Sequence, residues 1–210
     1  MSVMKLNVFV LLICVNTSVV WADYLDEVGQ SPYEQCGYCH EIDGNPRMPL
    51  YPRLAGQHPA YLIKQLQEFR SGKRTGQMQA TAELLSDTDI LAVAEYFSQQ
   101  SVVFPKLEAQ SNDEQQIAMQ IYQQGDPARG LLACSNCHGM DGLGKSDVPR
   151  LSAQHADYLH DQLMLFKSGQ RKNDAGGQMR AMATLLSERE ITALTGFLAR
   201  LPVKFSGASE

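Results

Sequence analysis

The pentapeptide Cys-x-x-Cys-His occurs twice in this chain. The copies are Cys36-Gly-Tyr-Cys39-His40 and Cys134-Ser-Asn-Cys137-His138, 98 residues apart. This pattern is typical of covalent c-type haem attachment. On a helix the two cysteines lie one turn apart, so both thiols can form thioethers with the vinyl groups of one haem. The histidine that follows is placed to be the proximal ligand of the iron. The chain is therefore predicted to carry two covalently bound haem c groups.

Other chemistry for these cysteines fits the sequence less well. Apart from Cys14, every cysteine of the chain lies in the two motifs. Two disulfides are an alternative in an exported protein, and a zinc site or a thioredoxin-like redox pair are others. However, the motifs are separated far beyond the roughly 15–20 residues of paired zinc knuckles, and no βαβ pattern surrounds them. None of these alternatives explains a histidine directly after each second cysteine.

The N-terminus, residues 1–22, is predicted to be a cleaved secretory signal peptide. Lys5 precedes an apolar run that ends at Val20, and Val20 and Ala22 provide small residues at the −3 and −1 positions of a cleavage site. The alternative is a retained membrane anchor, but the run is interrupted by polar residues and is short for a span of about 20 apolar residues. The mature protein is therefore expected in the periplasm, with at most peripheral membrane association.

The charge distribution narrows the class of partner. The chain has a formal net charge of −5, which argues against nucleic acid, because nucleic-acid binding requires a basic surface. Residues 23–100 carry 11 acidic and 6 basic side chains, whereas residues 101–210 carry 12 and 11. The first half is therefore expected to face cationic protein surfaces more readily.

An internal repeat extends well beyond the two motifs. Residues 52–74 align without gaps on residues 149–171, and 13 of these 23 positions are identical. The match resumes around Met78 and Met179, and the second copy has extra residues in 173–177. The chain is therefore predicted to be a duplication, with an N-terminal domain at 23–100, a linker at 101–112 and a C-terminal domain at 113–210.

Each copy is predicted to be helical. In the first copy Pro59 suits the first position of a helix, and Gly72 would end it. Leu62, Leu66 and Phe69 recur at helical spacing between them, as do Leu159, Leu163 and Phe166 before Gly169 in the second copy. A further helix begins at the capping pair Ser86 and Asp89, with the apolar stripe Ile90, Val93, Ala94 and Phe97. The second copy repeats it with Ser187, Glu190, Ile191, Leu194 and Phe197.

Only the second copy has room for a full helix before its haem motif. That helix is predicted at Asp113–Gln124, whereas the first copy has only Tyr24–Val28 in this place. The corresponding helix of the first copy is therefore expected to be shortened or absent. Alternating strand patterns do not occur, so the predicted fold class is all-α.

The sixth ligand of each iron decides its chemistry. Methionine raises the potential and suits electron transfer, whereas an open position suits oxygen or peroxide chemistry. Met78 and Met179 are the candidates, because each follows a glutamine and lies eight residues before a capping serine. They could instead be core methionines, and Met182 is a competitor in the second copy. Their matched positions in the repeat favour Met78 and Met179.

His58 and His155 are also matched in the repeat. As sixth ligands they would give two bis-histidine haems of lower potential. They follow the proximal histidines by only 18 and 17 residues and stand just before a helix. A structural or interface role is therefore favoured for both.

Taken together, these motifs resemble the cytochrome c4 family from about residue 33 to residue 201. Both haem motifs are followed by Pro-Arg-Leu-x-x-Gln-His-x-x-Tyr-Leu-x-x-Gln-Leu and then by a methionine upstream of Leu-Ser. The resemblance implies two tandem class I cytochrome c domains related by an approximate two-fold axis, with His/Met ligation by residues 40/78 and 138/179. It implies that the Pro52 and Pro149 carbonyls accept a hydrogen bond from the proximal histidines. Further side chains suit the haem propionates, the domain interface or plain packing: Tyr61, Gln65, Tyr158 and Gln162.

By the same resemblance, the expected function is electron transfer from a quinol-oxidising complex toward a terminal oxidase. The alternative is a dihaem electron-accepting subunit of a flavin-containing dehydrogenase of the sulfide-oxidising type. An enzyme such as a dihaem peroxidase needs an open iron position, and the matched methionines argue against it. The chain is therefore predicted to be an electron-transfer protein and not an enzyme.

Overall fold

The structure, a computed structural model, describes residues 31–202, so the predicted signal peptide lies outside the described residues. Within this range the chain forms helices, turns and two isolated β-bridges, as the all-α prediction requires. The α-helices are α1 (Pro32–His40), α2 (Pro59–Arg70), α3 (Met78–Glu83), α4 (Asp87–Ser98), α5 (Asn112–Gln124), α6 (Ser135–His138), α7 (Ala156–Lys167), α8 (Gln178–Leu185) and α9 (Glu188–Arg200). Short 3-10 turns occur at Pro127–Arg129 and Ala175–Gly177. None of the helices in residues 31–202 is long and apolar enough to cross a bilayer.

The helix starts follow the local sequence. Pro59 is the first residue of α2, where its missing N–H costs no hydrogen bond. Ser86 caps α4: its Oγ accepts from the Asp89 N–H at 3.1 Å, and the Asp89 carboxylate accepts from the Ser86 N–H at 2.8 Å. Ser187 and Glu190 form the same reciprocal pair at α9, at 3.3 and 2.7 Å. Both predicted capping boxes are confirmed.

Each repeat has a hydrophobic core of its own. The first consists of Leu62, Leu66, Ile90, Val93, Ala94 and Phe97, and the second of Ile121, Tyr122, Leu131, Leu159, Leu186, Ile191, Leu194 and Leu198. Two residues of the predicted stripes, Leu163 and Phe197, lie at the edge of the second core rather than inside it. Phe197 is only partly buried, against Tyr122, and Leu198 takes the place that Phe97 has in the first repeat. The Phe97 carbonyl accepts from Gly56, and the Leu198 carbonyl accepts from the repeat-equivalent Ala153.

The two repeats differ in how they support their last helix. In the second repeat α5 packs against α9, and the haem motif follows on the separate short helix α6. In the first repeat α1, which carries the haem motif, packs directly against α4. The Tyr33 ring on α1 stacks on the Tyr96 ring on α4, with centroids 3.9 Å apart and planes inclined by 5°. Tyr24–Val28, where the leading helix of the first copy was expected to be shortened or absent, lies outside the described residues.

Residues 101–111 join the repeats without regular secondary structure. The segment is tied to both repeats by hydrogen bonds. The Asn45 Oδ1 accepts from the Val103 N–H at 2.9 Å, and the Gln110 Nε2 donates to the Ala193 carbonyl at 2.8 Å. The connection is therefore anchored at each end.

Candidate haem sites

The two proximal histidines have the same surroundings. His40 ends α1 and His138 ends α6, and both are buried. Each Nδ1 lies 3.0 Å from a proline carbonyl, that of Pro52 for His40 and that of Pro149 for His138. A carbonyl oxygen only accepts hydrogen bonds, so Nδ1 carries the proton and Nε2 keeps its lone pair. Each imidazole is thereby fixed in the tautomer that coordinates a metal through Nε2.

The protonation state is also suitable for a metal ligand. Burial lowers the pKa of His40, and the hydrogen bond to Pro52 offsets this only in part. Burial likewise lowers the pKa of His138 against the effect of Pro149. Both imidazoles are therefore neutral at neutral pH and free to donate a lone pair.

Within residues 31–202 the four cysteines form no disulfide bonds. Cys36 and Cys134 are half-buried, whereas Cys39 and Cys137 are exposed. Burial raises the pKa of both Cys36 and Cys134 to about 11, so these thiols stay protonated at neutral pH. In the described part of the chain no three His, Cys, Asp or Glu side chains are grouped to hold a metal ion between them. The alternative of a zinc site therefore has no support in the described residues.

The candidate methionines have different contacts. Met78 begins α3 and packs against the first core, and Met179 is the second residue of α8, also partly buried. The competitor Met182 packs against the second core, and its Sδ accepts a hydrogen bond from the Leu132 N–H at 3.4 Å. The Met182 sulfur therefore already has a structural role, which the sequence did not show.

His58 and His155 lie at the interface between the repeats, as predicted. The His58 Nε2 is 2.7 Å from the Leu143 carbonyl of the second repeat. The His155 Nε2 is 2.8 Å from the Pro46 carbonyl of the first. The Nε2 of each histidine is thus engaged by backbone of the other repeat, which supports the interface role over iron ligation.

A second group of contacts joins α2 and α7. The Arg74 guanidinium donates to Gln65 of its own repeat at 2.8 Å and to Gln162 of the other at 2.8 Å. Its equivalent Arg171 donates to Gln162 at 2.7 Å and to Gln65 at 3.1 Å. The tyrosines join in the same crossed manner, Tyr158 with Arg74 and Tyr61 with Arg171, both at 3.2 Å. The predicted polar residues therefore form the domain interface.

The sequence analysis missed the arginines of this interface. Arg53, Arg74, Arg150 and Arg171 are all buried, and within residues 31–202 none of them has a carboxylate within 4 Å. Their identity between the two copies was the available signal. However, the alignment alone did not distinguish them from surface arginines.

The buried arginines allow a test of whether the site fits a haem. The Nε atoms of Arg53 and Arg150 are buried without a hydrogen-bond partner. Burial, and then the charge of Arg53, lowers the pKa of Arg150 to about 10. Buried cations without a counter-ion are costly, and the carboxylates of a haem are anions of the required charge. The buried arginines, the neutral histidine imidazoles, the cysteine thiols and the methionine side chains therefore form a set of groups that fits haem c.

Comparison with known proteins gives consistent matches. The family model described as cytochrome c matches residues 110–202, the second repeat. Cytochrome c4 of Thiocapsa roseopersicina is 41% identical over 170 residues, covering 79% of this chain and 86% of the relative. The chain belongs to the cytochrome c4 family. The crystal structure of reduced recombinant cytochrome c4 from Pseudomonas stutzeri has a TM-score of 0.74 at 34% identity, covering 84% of this chain and 98% of that one.

Membership of the cytochrome c4 family confirms the predicted fold and cofactors. The chain consists of two tandem class I cytochrome c domains, it carries two haem c groups, and it is an electron-transfer cytochrome. A further relative, named thiosulfate dehydrogenase electron acceptor, comes from Stutzerimonas stutzeri. It is 33% identical over 177 residues, covering 82% of this chain and 81% of the relative.

Proposed function

We propose that this protein is a periplasmic electron carrier that takes electrons from a quinol-oxidising complex and delivers them toward a terminal oxidase. The signal-peptide pattern of residues 1–22 supports export. Residues 23–100 and 113–210 would then be the two haem domains of the mature protein, with residues 101–112 between them.

The proposed iron ligands are His40 and Met78 in the first domain and His138 and Met179 in the second. The thioether bonds would come from Cys36, Cys39, Cys134 and Cys137. A haem c supplies a reversible one-electron couple, whose potential methionine ligation raises. Both histidines are buried and hydrogen-bonded to a backbone carbonyl, which would hold each imidazole in one orientation while the iron changes oxidation state. The matched anchoring of both proximal histidines, each on a backbone carbonyl at 3.0 Å, is the observation that supports a carrier rather than a catalyst.

A spectroelectrochemical titration of the haem-loaded protein tests this ligand set. The wild-type protein should show two low-spin components at clearly positive potentials. Met78→Leu and Met179→Leu should each convert one component to a low-potential or high-spin form, whereas Met182→Leu should leave both intact. A high-spin component in the wild-type protein would show that the assignment is wrong. So would the loss of one low-spin component in Met182→Leu.

Charge provides a test of the partner class. Residues 23–100 have an excess of acidic side chains, 11 against 6, so a basic docking surface would capture this domain faster at low salt. Membranes that contain the quinol-oxidising complex should reduce the protein at a rate that falls as ionic strength rises. A rate independent of salt would contradict an electrostatic encounter through the first domain.

The relative named thiosulfate dehydrogenase electron acceptor favours a second candidate, the electron-accepting partner of a dehydrogenase. In that case the protein would remain in a stable complex with the enzyme. Affinity purification from the native periplasm, followed by size exclusion, distinguishes the two. Elution at the size of the free chain supports the carrier, and co-elution with a dehydrogenase supports the subunit.

A further inference from the structure

Each proximal histidine is supported by a peptide group that the other domain holds. The His40 Nδ1–H donates to the Pro52 carbonyl. The N–H of that same peptide group belongs to Arg53, and it donates to the Gln154 Oε1 of the second domain at 2.8 Å. The Gln154 Nε2 in turn donates to the Arg53 carbonyl at 3.0 Å. One amide of the second domain thus clamps the backbone that orients the first domain's histidine.

The same arrangement exists in the opposite direction. The Pro149 carbonyl accepts from His138, and the N–H of that peptide group, on Arg150, donates to the Gln57 Oε1 at 2.8 Å. The Gln57 Nε2 donates to the Arg150 carbonyl at 3.1 Å. Each domain therefore contributes one glutamine that holds the backbone beside the proximal histidine of the other domain.

The clamping amides are rigid. Gln57 and Gln154 are 4% and 3% exposed. Each Oε1 also accepts, at 3.0 Å, from the N–H of the histidine that follows it, His58 or His155. Those histidines bond to the loop after the other domain's haem motif, as described above. Each glutamine amide is thus bonded both to its own backbone and to the other domain, and it holds the proline–arginine peptide group of that domain in one position.

Hydrogen bonds in a chain strengthen one another. When a peptide N–H donates, electron density in the planar group moves toward its oxygen, which becomes a better acceptor. Donation from Arg53 to Gln154 therefore strengthens the bond from His40 to Pro52. A stronger bond at Nδ1 makes the imidazole a more basic ligand. A more basic ligand stabilises the ferric state and lowers the reduction potential.

We propose that Gln154 and Gln57 are positioning residues that act across the domain interface. Gln154 lowers the potential of the first haem through His40, and Gln57 lowers that of the second through His138. The inference rests on the proposed ligation of the two irons by these histidines. Each domain thus adjusts the redox centre of the other, with no change in either iron's own ligands.

The test uses the haem-loaded full-length protein with Gln154→Leu or Gln57→Leu, which keep the bulk and remove the amide. The shorter amide in Gln154→Asn serves if a leucine variant does not fold. Asn173→Ala is the control, because Asn173 is a buried amide that also bridges the domains but contacts neither proline segment. The midpoint of each haem is read from spectroelectrochemistry and from the NMR methyl signals of the bound methionines, assigned by sequential NOEs in the reduced protein.

We expect a crossed pattern. One neighbouring bond alters the strength of a hydrogen bond by roughly 10–30%, so the effect of losing it should be modest. We expect Gln154→Leu to raise the reduction equilibrium constant of the first haem by about two- to fivefold. This is about 18 to 41 mV, at 59 mV per tenfold change for one electron. The second haem should be unchanged. Gln57→Leu should raise the reduction equilibrium constant of the second haem and leave the first unchanged. Asn173→Ala should shift neither haem selectively.

Several results would overturn the inference. Unchanged potentials, equal shifts of both haems, or a shift confined to the variant's own domain would each contradict a crossed effect. A shift in Asn173→Ala equal to that in Gln154→Leu would mean that general loosening of the interface is responsible. If the wild-type protein lacks the two methionine methyl signals, the proposed methionine ligation fails, whereas the inference, which needs only the two histidines, still stands or falls with the crossed shift of the midpoints. If the signals are present without the crossed pattern, only the inference fails.

Discussion

Asn173→Ala should measure how strongly the inserted residues of the second repeat hold the domains together. Asn173 is 1% exposed. Its Nδ2 donates to the Gln65 Oε1 at 2.9 Å and to the Glu68 carboxylate at 2.6 Å, both in the first domain. Its Oδ1 accepts from the Arg171 Nε at 2.9 Å. Alanine removes all three hydrogen bonds at once.

The magnitude depends on which partners remain satisfied. Gln65 keeps its bonds to Arg74 and Arg171, and Glu68 keeps Lys64 and Lys73, so neither is left unpaired. The Arg171 Nε loses its partner. With about 1 kcal/mol for a typical bond and about 1.5–3 kcal/mol for one to a charged group, discounted for these remaining partners, the loss is about 2–3 kcal/mol.

Calorimetry of the haem-loaded protein at neutral pH tests this value. A loss of about 2–3 kcal/mol corresponds to a fall in Tm of about 4–12 °C for a protein of this size. The matched control is Gln170→Ala, an exposed polar residue of the same segment, which should change stability by less than about 0.5 kcal/mol. A fall below about 2 °C, or equal falls in the two variants, would refute the role assigned to Asn173.

Three further predictions concern single residues. Gly44→Ala should destabilise the first domain strongly, because its φ is +69° and a Cβ would lie 2.6 Å from a backbone nitrogen. Gly130→Ala, also at positive φ but with nothing within 4 Å, should cost only about 1–2 kcal/mol; equal melting temperatures would contradict the steric reason. Burial opposes ionisation of Glu68, but its bonds to two lysines and a buried amide outweigh burial and lower its pKa. Its stabilising effect is therefore present above the carboxyl's ordinary pKa and lost as pH falls through the lowered one, so a pH series of urea midpoints should be flatter in Glu68→Gln. Phe97→Ala should cost about 3–5 kcal/mol, since this ring is fully buried, and Phe197→Ala should cost less; a reversed order in urea unfolding would contradict the core assignment.

The elements that depend on neighbouring residues were predictable from the sequence. The caps at Ser86 and Ser187, and the start of α2 at Pro59, occur where predicted because each is decided within one helical turn. Phe197 shows the limit of periodicity. At 3.6 residues per turn, the adjacent positions Phe197 and Leu198 lie about 100° apart around the helix. Only packing against the rest of the core decides which of the two side chains is buried.

Met182 and the interface arginines show a second limit. The repeat alignment favoured Met179, but it could not show that the Met182 sulfur accepts a hydrogen bond from the backbone of Leu132, a residue 50 positions away. In the same way, the repeat alignment shows that Arg74 and Arg171 are identical, but it does not show what either side chain contacts. Each of them has partners in the other copy as well as in its own, and single-sequence patterns contain no information about pairs between the copies.

The sequence by itself determined the two haem attachment motifs, the duplication and the all-α class. All of these depend on residue type and short-range spacing, which a chain retains whether or not it is folded. The tertiary structure decided how the copies meet. Gln57 and Gln154 look alike in the sequence and would be read as ordinary polar residues before a helix. Only when the two domains come together does each amide reach the peptide group behind the other domain's histidine. A hydrogen bond between residues about a hundred positions apart exists only in the folded chain.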